Sequence, residues 1–254
     1  MSVTSSDIVV YGSANMPEND TGTSGGAIDT SVKIIFTDIS AADTVEILSD
    51  AGGDTSQTVT VEGRDAGGSI VSETETLTGT TPVTTAQSFE RILKITCSST
   101  SHGTVTIRKQ SDNVTIATME NGIDGVRRPF YDATAEDSGG SSKVFYEKVF
   151  VQNDHSTLSL LSATITASAD PSGLLAFDLA NAVNDSFSLT NRLTAFANGD
   201  NTLGSPTWDD AEKAVPGTDL AAAGEIGVWL RLSLAAGQAA AKTTYTLTVA
   251  GSST

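Results

Sequence analysis

Two stretches limit what this chain can become. Residues 58–63 read Thr-Val-Thr-Val-Glu-Gly, and residues 228–234 read Val-Trp-Leu-Arg-Leu-Ser-Leu. A strict two-residue alternation places apolar side chains on one side of an extended backbone and polar ones on the other, which is the pattern of a half-buried β-strand. In the second stretch Val228, Leu230, Leu232 and Leu234 share one face, leaving Trp229, Arg231 and Ser233 for the other.

The same signal recurs along the chain. Between residues 32 and 119 it predicts seven short strands, at 32–36, 44–48, 58–63, 70–77, 90–96, 103–108 and 113–117. Turn residues separate them, and Asp65-Ala66-Gly67-Gly68 reads as the turn of a hairpin. Short strands at this spacing predict a sandwich. Asn121-Gly122 and Asp124-Gly125 mark a break, and a second strand-rich region follows. It holds candidates at 143–151, 158–165, 174–179, 226–234 and 242–249. Helix is sparse: Thr207 could cap a single turn over 208–214. Ahead of all this, residues 12–26 are rich in Gly, Asn, Asp, Ser and Thr, which favour turns and local side-chain bonds over ladders. The expectation is an all-β protein with two β-sandwich domains, Ig-like or jelly-roll-like, at 32–125 and 126–254, behind an N-terminal extended arm at 1–31 in which 8–11 could form a short strand.

Charge narrows the partners. With 31 acidic and 14 basic residues the chain carries −17, so nucleic-acid phosphate and an anionic membrane surface are expected to repel it. No run reaches the roughly 18 apolar residues of a membrane helix. The start, MSVTSSDIVV, lacks the basic-then-apolar pattern of a secretory signal, so synthesis in the cytoplasm without export is expected. Aromatics amount to only 6%, so the cores must come from many small β-branched contacts.

Catalytic patterns are absent. The two histidines, His102 and His155, sit beside turn residues, and neighbouring residues on an extended chain point to opposite sides, so Asp154-His155-Ser156 makes no relay by itself. There is no HExxH, GxSxG, GxGxxG or P-loop. The single cysteine, Cys97, reads as a small buried side chain. Asp200, Asp209, Asp210 and Asp219 could gather around calcium, though no known loop spacing is present. No cofactor and no metal are therefore expected, and the chain is expected not to be an enzyme.

Resemblance adds a direction. The run from Thr58 to Gly68, with Ser72-Glu73-Thr74-Glu75-Thr76-Leu77-Thr78-Gly79-Thr80-Thr81-Pro82-Val83 and Phe89-Glu90-Arg91-Ile92, resembles a β-sandwich module of tailed-bacteriophage virion proteins. Gly227-Val228-Trp229-Leu230-Arg231-Leu232-Ser233-Leu234-Ala235-Ala236-Gly237, with Tyr245-Thr246-Leu247-Thr248-Val249, is similar to a closing hairpin of other phage particle proteins. The resemblance implies a virion component, either a capsid decoration, cement or minor head protein, or a tail, baseplate or fibre component that binds a host glycan. It implies the major capsid protein or other virion proteins as partners, and a homo-oligomer, trimer or dimer, is plausible on symmetry grounds. Tyr11, Met16, Phe130, Tyr131, Trp208 and Trp229 are the candidate partner-binding residues.

Overall fold

The computed structural model describes residues 2–133, 140–168, 173–196, 206–238 and 244–253. Apart from a 3₁₀ turn at Ser5–Asp7, its regular elements are strands: β1 (Ile8–Asn15), β2 (Ser24–Lys33), β3 (Val45–Ser49), β4 (Thr58–Arg64), β5 (Ile70–Thr76), β6 (Val83–Thr84), β7 (Arg91–Cys97), β8 (Val105–Lys109) and β9 (Thr115–Met119). They continue with β10 (Gly125–Arg127), β11 (Lys143–Asn153), β12 (Leu161–Ala167), β13 (Leu175–Val183), β14 (Ser188–Leu189), β15 (Lys213–Ala214), β16 (Glu225–Leu234) and β17 (Leu247–Ser252). The protein is all-β, as the alternation predicts.

Two compact units emerge: Thr30–Tyr131, and Met1–Asp29 together with Asp132–Thr254. In the continuous unit one sheet runs β2-β10-β7-β4-β5 and the other β6-β3-β8-β9. Val59 and Val61 of β4, Ile95 of β7, Ile47 of β3 and Ile107 of β8 are sealed from solvent, as is Phe89. Each buried Val or Ile contributes about 1.5–3 kcal/mol. The expected hairpin closes at Asp65, whose Oδ1 accepts the Gly67 and Ser69 amides at 2.9 Å while Gly68 takes the left-handed conformation. Opposite β4, strand β7 is bulged: Lys94 faces Glu62 but Ile92 faces Gly63, leaving Leu93 as the extra residue. Gly63 is required there, because a Cβ would stand 2.4 Å from the Arg91 carbonyl oxygen and 2.7 Å from the Phe89 ring.

In the discontinuous unit the order is β13-β16-β11-β1-β2, with β14 pairing β2, and the second sheet is β15-β12-β17. Phe177, Ile165, Val228 and Leu220 are buried in this unit.

Three expectations are corrected. Of the arm expected at 1–31, the short strand at 8–11 is present as the start of β1, but the arm is not otherwise irregular, since Ser24–Lys33 forms β2. Val10 pairs with Val151, Tyr11 with Phe150, and Ser24 and Gly25 pair with β14, so both ends of the chain build one unit. The boundary falls after Tyr131 rather than at 125, because Gly125 and Val126 add a strand between β2 and β7. No helical turn forms at 208–214: Asp209 bridges to Phe177, and Lys213–Ala214 pairs with β12. The expected strand at 242–249 is described only from residue 244, where β17 begins at Leu247.

Candidate functional site

Strand β16 places two sets of side chains on opposite faces of its sheet. Antiparallel register sets Phe145 against Leu232, Glu147 against Leu230 and Val149 against Val228 on one face. On the other, Lys148 lies against Trp229 and Tyr146 against Arg231. That second face is not the wet one its alternation implies. Leu189 of β14, with Phe187, Phe196 and Trp208 from the loops around β14 and ahead of β15, cover it and make a satellite core with Tyr146 and Trp229. Trp229 is fully buried, 4.9 Å from Phe196 with the rings at 82°, an edge-to-face pair worth about 0.5–1.5 kcal/mol beyond area burial. Trp208 is half-buried, 5.5 Å from Tyr146 and 5.9 Å from Phe196, with the Arg231 guanidinium 5.3 Å from its ring centre.

Two buried cations fasten this unit. Lys148 has no exposed surface; its Nζ donates to Asp185 Oδ2 at 2.6 Å, the Asp185 carbonyl at 2.9 Å and the Gly26 carbonyl at 3.2 Å. It also sits 4.6 Å from the Phe150 ring. Burial pulls the Lys148 pKa below that of an ordinary lysine, against the opposing pull of Asp185. Arg192 is also buried. It donates to Asp132 at 2.7 Å and to Asp20 at 3.2 Å, lies 3.8 Å from Glu147, and stacks 4.8 Å from the Phe145 ring. Burial alone would lower its pKa, but Asp132 and Asp20 hold it above the usual arginine value. Asp20 shows the converse. Burial pushes it up, yet hydrogen bonds from Lys143 and Arg192 bring it below the usual carboxylate range. The sequence signal for these fasteners was Glu147-Lys148 inside the apolar run 143–151, a charge pair that a buried strand tolerates only when both ends find partners.

The histidines are held by backbone. His102 lies between the Gly103 carbonyl, 2.6 Å from Nδ1, and the Ile123 carbonyl, 2.8 Å from Nε2. His155 Nδ1 accepts the amides of Thr157 and Leu158 at 3.1 and 2.9 Å. Cys97 is buried, and burial raises its thiol pKa. Of the calcium candidates, Asp209 bonds Lys213 at 2.8 Å, Asp210 accepts the Tyr245 hydroxyl at 2.9 Å, and Asp219 accepts the Ser162 amide at 3.0 Å. Asp200 lies outside the described residues. Among the described residues no three His, Cys, Asp or Glu side chains group as a metal site would require.

The partner-binding candidates divide in the same way. Tyr11, Met16 and Phe130 are each less than a tenth exposed and Trp229 is fully buried; Tyr11 spends its hydroxyl on Asp154 at 2.7 Å. Trp208 and Trp229 meet in the satellite core. Tyr131, half-buried, has the cations of Lys94 and Arg127 5.8 and 5.7 Å from its ring centre. No protein family, no curated protein and no solved structure matches this chain.

Proposed function

We propose that the chain is a non-catalytic structural protein of a tailed-bacteriophage particle, a capsid decoration, cement or minor head protein that binds the particle surface. The observation that carries this reading is where the reactive side chains are spent. His102, His155, Lys148 and Arg192 all serve as internal fasteners bonded to backbone or half-buried carboxylates. The stretches that resemble virion modules fall on β4, β5 and the start of β7, and on β16 with β17, so the likeness lies in framework strands and carries no reactive group with it. Trp208, the best placed aromatic for a sugar platform, already packs against Arg231, Tyr146 and Phe196, which favours the surface-binding reading over glycan recognition. Repeated weak contacts on a lattice would supply avidity, with the major capsid protein as partner and a dimer or trimer as the bound form.

The test is quantitative mass spectrometry on purified particles split into heads and tails. Recovery with heads in proportion to the major capsid protein is expected. Recovery with tails would replace this reading with the tail-component one, and absence from both fractions would overturn the virion assignment.

A further inference from the structure

The bulge in β7 gathers like charges. Because Leu93 is the extra residue, Arg91 pairs directly with Arg64 across the β4–β7 ladder. The bulge also holds Arg128: its amide donates to the Leu93 carbonyl at 2.9 Å and its Nε to the Ile92 carbonyl at 2.8 Å. Like charges directly opposite in a sheet destabilise it. The three guanidiniums are unequally satisfied. Arg64 Nη1 donates to the Gly68 carbonyl at 2.7 Å. Arg128 bonds Asp38 and stacks 4.8 Å from the Phe36 ring. Arg91 Nε is shielded from water and has no acceptor. Glu62 in the same ladder is turned to Lys94, 3.6 Å away. A buried donor without an acceptor next to a repelling neighbour is a local conflict of the kind that marks binding sites.

We propose that Arg64, Arg91 and Arg128 form a binding site for an oxyanion, with the Arg91 guanidinium as its central donor. Arginine forks match two-oxygen acceptors, and one anion bound at the accessible end of the Arg91 guanidinium would screen Arg91 from Arg64. A phosphate or a carboxylate supplies the required chemistry. The site is independent of the particle assignment, since it rests only on the β4–β7 bulge.

The arginine Nε–H resonances of the isotopically labelled full chain, titrated with inorganic phosphate or with glutarate at constant ionic strength, give the test. Saturable shifts are expected in the Arg91 resonance. A stronger response to phosphate assigns a phosphate-type ligand; a stronger response to glutarate assigns the carboxylate of a protein partner. Arg91→Gln should weaken binding about tenfold or more. Arg91→Lys, which keeps the charge and loses the fork, should weaken it several-fold and covers the case in which the glutamine variant does not fold. Shifts that fail to saturate with either probe, or equal affinity in the wild type and both variants, would overturn the proposal.

Discussion

Gly25→Ala is the sharpest probe of the satellite core. Gly25 sits on β2 in the left-handed region at φ +96°, directly under the Trp229 ring. A Cβ there would stand 2.6 Å from Trp229 Cη2 and 2.8 Å from the Phe187 carbonyl oxygen, both well inside contact distance. The backbone conformation costs an L-residue about 1–2 kcal/mol, and overpacking typically adds about 1–3 kcal/mol. The expected loss is therefore about 3 kcal/mol. For a unit of this size each kcal/mol moves the melting temperature by about 2–4 °C, giving a fall of about 6–12 °C. Both tryptophans of the chain, Trp208 and Trp229, belong to this unit, so tryptophan fluorescence follows its unfolding alone. Trp229→Phe removes the atom that clashes and leaves Trp208 as reporter. The double variant should lose less than the sum of the single changes by about 1–2 kcal/mol, the signature of direct contact. A Gly25→Ala melting temperature within 2 °C of wild type, or strict additivity with Trp229→Phe, would refute the packing argument.

Other perturbations read the fasteners. Lys148→Met strands the half-buried Asp185 carboxylate and the Gly26 carbonyl; leaving such groups without their donor costs about 1–3 kcal/mol, so the urea midpoint followed by tryptophan fluorescence should drop clearly, and an unchanged midpoint would deny the clamp. Asp20 has a folded pKa below its unfolded one, so its stabilisation is present above the ordinary carboxylate range and is lost as pH falls through the folded value. Asp20→Asn should accordingly lower the urea midpoint at pH 6, and the gap to wild type should narrow progressively below about pH 4; a gap that does not change with pH would contradict the Lys143 and Arg192 pairing. Deleting residues 1–26 removes β1, the partner of β11, and should abolish the cooperative fluorescence transition while far-ultraviolet circular dichroism still reports a folded Thr30–Tyr131 unit; retention of the transition would show β1 to be dispensable.

Local pattern predicted local structure well. Alternation located β4 and β16, and Asp65 to Gly68 located the hairpin, because strand faces and turn chemistry are set within a few residues. Beyond the short strand expected at 8–11, which is the start of β1, the N-terminal segment was illegible for the opposite reason. Its order comes from β11, more than a hundred residues away, and from Gly25 and Gly26, whose left-handed backbones look like loop residues but let β2 pass beneath Trp229 and beside Asn15. The cover over Trp229, Arg231 and Ser233 was not legible, because it comes largely from loops with no periodic signal. The arginine cluster was equally hidden: Arg64 and Arg91 become neighbours only through a bulge that shifts register by one residue.

The discontinuous unit has a consequence for how the chain comes to be. β1 lies before the Thr30–Tyr131 segment and its partner β11 after it, whereas that segment carries β3 to β10 whole with the end of β2 and can close first. In that unit Val32, near its start, pairs in parallel with Gly125, which brings these two residues from nearly a hundred positions apart to about one strand spacing, roughly 5 Å. Once it folds, the span between β1 and β11 shrinks from over a hundred flexible residues to a few tens. Loop-closure entropy then falls by about 1–2 kcal/mol. Folding of the inserted unit thus shortens the loop that its host must close, and slowing it should slow the pairing of β1 with β11.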